Sequence, residues 1–107
     1  MNDVILENRM VEKLARAFRR SPAQLNCMNE SDAEIISLGS GDLKLAITTD
    51  SVVEEIASGL YNDAYMIGWM AATVNFSDLA AVGASPLGLL IAETLFSGLP
   101  ESFVLEM

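Results

Sequence analysis

A long helix that must place two polar side chains on one face constrains this chain most. From Asn75 to Pro86 the sequence reads Asn-Phe-Ser-Asp-Leu-Ala-Ala-Val-Gly-Ala-Ser-Pro. Upstream, Asp63 is a capping residue, and no proline follows until Pro86. The pattern predicts a helix from Asp63 to about Ala81 or Gly83, because a proline pushes the residue before it out of helical conformation. Ile67, Met70, Ala71, Val74 and Leu79 supply its apolar contacts. Gly68 lowers helix propensity, which implies that another backbone comes close there. Asn75 and Asp78 lie three apart and so share a helix face. A polar pair in so apolar a segment is costly unless something satisfies it. A magnesium ion bridging to phosphates would do so, and so would a network of backbone hydrogen bonds.

Charge narrows the function classes. Residues 1–20 carry five basic and three acidic side chains, whereas the remaining residues carry one base, Lys44, against twelve acids. So acidic a body excludes a broad nucleic-acid surface, which needs basic side chains to neutralise phosphates. It is compatible with a phosphate site bridged by a metal ion, where the cation supplies the positive charge. Cys27 is the only cysteine, so no intrachain disulfide is possible, and the absence of histidine removes imidazole ligands and an imidazole base. The N-terminus lacks the apolar stretch of a secretory signal. The longest nearly apolar run, Ala64–Val74, is roughly half of what spans a bilayer. The expected setting is cytoplasmic, with no membrane partner.

A chain of 107 residues has room for one domain with a modest core, and its 51% apolar content excludes general disorder. Residues 3–20 read as an amphipathic helix. Leu6, Met10, Leu14 and Phe18 recur at four-residue spacing, Asn2 or Asp3 is the candidate cap, Arg19 and Arg20 fall in the last turn, and Ser21-Pro22 stops it. Residues 23–31 read as a loop. Two strands, about 33–38 and 44–53, flank the turn Gly39-Ser-Gly-Asp42 and predict a hairpin. That turn lacks the Gly-Lys-Ser/Thr ending of a phosphate-binding loop. Glu54–Asn62 is a connection with room for a helical turn. Leu87–Leu95 reads as a buried strand, and Pro100-Glu101 as a helix start with Pro at the first helical position. The fold class expected is α+β, a small sheet covered on one face by the long helix and the N-terminal helix. Tyr65 and Trp69, four apart, suit either stacking on a nucleobase or anchoring the helix in a core.

Three segments in this order carry a resemblance: Ser31-Asp32-Ala33, then Leu45-Ala-Ile-Thr-Thr49-Asp50-Ser51, then the Asn75–Pro86 helix motif. Together they resemble the N-terminal domain of the AIR synthase family, and within it the thiamine-monophosphate kinase branch. The likeness covers about residues 31–100. The helix motif is specific because its eight defined positions agree together, whereas the first motif is weak alone.

The resemblance implies ATP and magnesium as ligands. It implies Asp32, Asp50 and Asp78 as metal ligands, and Ser51, Asn75 and Ser77 as nucleotide-binding residues, with Thr49 a further hydroxyl donor. Each has a plainer alternative: Asp50 as a turn cap, Asp32 as a loop acid, Ser77 bonded back to its own helix. The resemblance also implies a homodimer joined through the sheet, with Leu87–Leu95 as an exposed apolar edge. Three departures stand out. Where the family commonly has a His-Phe pair, this chain has Glu54-Glu55-Ile56-Ala57-Ser58. The family's later Gly-Gly-Asp motif and its C-terminal domain both lie beyond Met107. The expectation is therefore a single truncated N-terminal domain over residues 1–107, incomplete for catalysis without a C-terminal domain or partner chain. The alternative is a non-catalytic dimerisation or interaction module that keeps the fold.

Overall fold

Asp63 opens the longest element. In the computed structural model, which describes residues 3–28 and 30–107, four helices and two strands follow in the order α1 (Asp3–Arg16), β1 (Glu34–Ser37), β2 (Lys44–Ile47), α2 (Val53–Ala57), α3 (Ala64–Ala81) and α4 (Glu101–Glu106). The Asp63 carboxylate accepts the Met66 backbone N–H at 2.9 Å, so the predicted cap is in place. At the other end Gly83 adopts a positive φ of 71°. Its N–H donates to the Ala80 carbonyl, and that of Ala84 to the Leu79 carbonyl, both at 3.0 Å. This paired arrangement satisfies two carbonyls that the helix end leaves open, and it needs a residue that tolerates the left-handed region.

β1 and β2 form the expected antiparallel hairpin, with Glu34 opposite Ile47 and Ser37 opposite Lys44. The outer edge of β1 is partly covered by the preceding loop. Leu25 N–H donates to the Ile35 carbonyl and Ser37 N–H to the Ala23 carbonyl, each at 2.8 Å. Among the described residues the sheet has these two strands alone, and the outer edge of β2 has no partner strand.

Gly68 fulfils its expectation. A Cβ there would overlap the Met107 backbone carbonyl, so the missing side chain is what lets the end of α4 reach α3. Pro100 holds an extended conformation (φ −60°, ψ 137°) and is the residue flanking α4, not its first helical position.

Several expectations are corrected. The N-terminal helix ends at Arg16, so Arg19 and Arg20 lie beyond it, and the basic residues of its last turn are Lys13 and Arg16. Arg20 instead donates to the Asn26 carbonyl and to Glu34, which ties the chain leaving α1 to β1. Asp3 is the first residue of α1, and the cap considered at Asn2 lies outside the described residues. β2 stops at Ile47 because the chain turns into α2, where Ile56 N–H already donates to the Val52 carbonyl. Leu87–Leu95 is not a strand, since no neighbouring strand offers it hydrogen bonds. Nor is the sheet covered by the two helices: α1 leaves Leu6, Met10, Val11 and Leu14 exposed, and α3 packs against α4 and meets the hairpin only at its end. Two four-residue strands present too small a face for two helices to bury their stripes.

The core is correspondingly thin, comprising Ala33, Val52, Ala64, Ile67 and Leu79. The radius of gyration is 16.9 Å, against about 13 Å for a compact chain of this length. The accessible surface is 8672 Å², against roughly 5,800 Å² for a compact protein of this mass. Much apolar surface is therefore left facing solvent.

Candidate functional site

Thr48 stands where three separated segments meet. It is the first residue after β2, half-buried, and its hydroxyl lies 3.1 Å from the Asp32 backbone carbonyl and 3.2 Å from Asp78 Oδ2. The hairpin register explains the first contact. Glu34 pairs with Ile47, so the residues before β1 run alongside those after β2. The long helix explains the second, because Asp78 is on the side of α3 that meets this segment. One turn nearer the N-terminus of α3, the Asn75 side-chain amide donates to the Ala71 carbonyl at 2.8 Å and approaches the Asp50 carbonyl at 3.5 Å. The shared face expected of Asn75 and Asp78 thus lies along residues 48–50.

The Asp50 carboxylate accepts its neighbour's backbone N–H, that of Ser51, at 2.8 Å through Oδ1. The contact is with the next residue along the chain, and the Asp50 side chain is exposed. Asp32 and Ser51 are exposed, while Asn75 and Asp78 are half-buried. An open cavity of about 440 Å³ adjoins the cluster, lined by Asp32, Glu34, Thr48 and Thr49 among others. It is a shallow depression whose lining does not include Asp50, Asn75 or Asp78. The structure does not bring Ser77 to this surface. It is exposed and, at about 100° per residue, sits a quarter-turn or more around α3 from both Asn75 and Asp78.

Tyr65 and Trp69 pack ring against ring, with centroids 6.1 Å apart and planes at 33°. They are more than half exposed and lie on a different side of α3 from Asn75 and Asp78. Thr48 is the residue that sequence reasoning passed over in favour of Thr49. Its signal was the hydroxyl directly after the last residue paired in the hairpin, which only the strand boundary exposes.

The donor set bears on a cation. Among the described residues no three carboxylate or thiolate side chains converge as a ready cage. Magnesium does not ask for one, since it takes one or two carboxylates and completes its shell with phosphate oxygens and water. Asp32 and Asp50 join the cluster through their backbone carbonyls, and the Asp78 carboxylate is the one that the contacts place in it.

The profile of the family described as "AIR synthase related protein, N-terminal domain" matches residues 30–106. The chain belongs to that family. All three segments of the cluster lie inside the matched region. This AIR synthase related domain is also 42% identical, over 65 residues, to a thiamine-monophosphate kinase of Synechococcus elongatus. The alignment covers 60% of this chain and 20% of that protein, so the chain spans about a fifth of the length of the curated relative it matches. No solved structure matches. Among the described residues no helix is long and apolar enough to cross a membrane.

Proposed function

We propose that this domain binds magnesium-ATP, and that it serves as the nucleotide-binding part of an ATP-dependent phosphotransferase of the thiamine-monophosphate kinase kind. The carrying observation is the Thr48 hydroxyl set between the Asp32 backbone carbonyl and the Asp78 carboxylate, with the Asp50 backbone carbonyl near the Asn75 amide. Family membership and the kinase relative support the same reading.

In this reading Asp78 and Asp50 hold the cation, with Asp32 as a third carboxylate at the cavity rim. Asn75 and Ser51 donate to phosphate oxygens, and Thr48 holds the segments in register. The bound magnesium would neutralise phosphate charge, which is what makes phosphoryl transfer possible. The residues themselves orient and screen. A hydroxyl has one proton, so Thr48 serves either Asp32 or Asp78 at a given moment. A cation at Asp78 turns that proton to the Asp32 carbonyl, and no donor is left unpaired. Because only Lys44 is basic beyond residue 20, ATP without the metal meets a repulsive surface.

We further propose a homodimer joined through the sheet. The unpartnered edge of β2 is the available strand edge among the described residues, and such an edge is a template for pairing.

Titration calorimetry tests the nucleotide reading. Heat is expected with ATP and magnesium together, and at least tenfold weaker binding is expected for Asp78→Asn. No heat from the folded wild-type chain, or equal affinity with and without magnesium, would end it.

A further inference from the structure

Asn26 continues the edge of β1 with its side chain at the point where backbone pairing stops. Before it, the Ala23 carbonyl accepts the Ser37 N–H and the Leu25 N–H donates to the Ile35 carbonyl, each at 2.8 Å. At Asn26 the side-chain amide takes over. Its Oδ1 accepts the Ile35 N–H at 2.9 Å, and its Nδ2 donates to the Ala33 carbonyl at 3.3 Å and to the Ser31 hydroxyl at 3.4 Å. The Ile35 N–H and the Ala33 carbonyl are groups that a paired strand would otherwise take. The Ser31 hydroxyl donates to the same Ala33 carbonyl. Asn26 is half-buried, and its own carbonyl accepts from the Arg20 guanidinium at 2.6 Å, so the clamp is itself anchored.

We propose that Asn26 is a positioning residue for Asp32, an inference that rests on the nucleotide reading above and deepens it. Asp32 stands between Ser31 and Ala33, the two residues that the Asn26 amide engages. Its own carbonyl accepts from the Thr48 hydroxyl at 3.1 Å. The residue after it, Ala33, is buried at 4% exposure. Residues 31–33 are therefore tied to the loop by Asn26 and to the end of β2 by Thr48. Asp32 itself is exposed and borders the open depression. A carboxylate on an unfixed loop loses conformational entropy when it meets a cation, and one whose neighbours are already fixed loses less. Asn26 thus acts on the cation through Asp32 without touching it, as groups behind a metal ligand do.

The test is a double-variant cycle on the full chain, read by magnesium-ATP calorimetry. Asn26→Ala and Asp32→Asn are each expected to weaken binding by about tenfold, the scale usual for groups that orient a metal ligand. Combined, they should bind no more weakly than Asp32→Asn alone, because the clamp then has no carboxylate to place. Asn26→Ser serves in the same cycle should Asn26→Ala fail to fold. The Ile35 amide is expected to exchange slowly in wild type and faster in the Asn26 variants, with or without nucleotide. Binding that Asn26→Ala leaves at the wild-type level overturns the proposal and leaves the nucleotide reading standing, and so does binding that Asp32→Asn leaves unchanged. A loss from Asn26→Ala that is as large on top of Asp32→Asn as in wild type makes Asn26 structural only and overturns it as well. An Ile35 amide that exchanges freely in the folded wild type overturns it with no nucleotide present. Wild type that returns no heat ends the nucleotide reading and this inference together.

Discussion

The Thr48 hydroxyl lies 3.2 Å from Asp78 Oδ2, across thirty residues of sequence. This contact brings the end of the hairpin to the last turn of α3, and with Asn75 against Asp50 it lines the two segments up. Without the pair, the carboxylates assigned to the cation would sit on segments with little else to register them.

Thr48→Val keeps the shape of the side chain and removes the hydroxyl. The half-buried hydrogen bond it loses is worth about 1 kcal/mol, and denaturant unfolding should record a loss of that size. Magnesium-ATP affinity should fall as well. An unchanged affinity in a destabilised variant would show Thr48 to be structural only.

Removing magnesium should abolish nucleotide binding altogether. With ethylenediaminetetraacetate present, calorimetry is expected to return no heat from ATP, and added magnesium in excess should restore it. Calcium, which accepts a larger and looser oxygen shell, is expected to substitute less well.

Gly68→Ala sets two effects against each other. Alanine favours α3 by about 1 kcal/mol over glycine, yet its Cβ would overlap the Met107 carbonyl. A backbone atom cannot swing aside as a side-chain tip can. The expected result is faster amide exchange in α4 with α3 unaffected or slowed, and equal protection of α4 in both proteins would contradict it.

Asp63→Ala should cost about 1 kcal/mol by freeing the Met66 N–H at the start of α3. Gly83→Ala should also destabilise, because a left-handed φ of 71° disfavours a Cβ. Thermal melts of the two single variants and the double variant should be additive, since the sites are at opposite ends of one helix.

The segments that read true from sequence alone are those whose causes are local. Asp63, Gly83 and Pro86 bracket α3, and the glycines of residues 39–41 join the hairpin. The failures share one cause. Leu6, Met10 and Leu14 have the spacing of a buried stripe, and Leu87–Leu95 has the composition of a buried strand, but an apolar pattern states only that a surface should be covered. It does not supply the cover, and among the described residues neither surface is covered.

Composition and spacing by themselves determined the acidic body, the long capped helix and the Asn75–Asp78 face, because helix capping and i,i+3 neighbours depend on residues within a turn of one another. Only the tertiary structure decided that Thr48, not Thr49, meets Asp78, that Ser77 turns away, and that Gly68 receives the end of α4. Those relationships join residues far apart along the chain, so strand boundaries and the course of the backbone between them set the geometry, which no short-range pattern encodes.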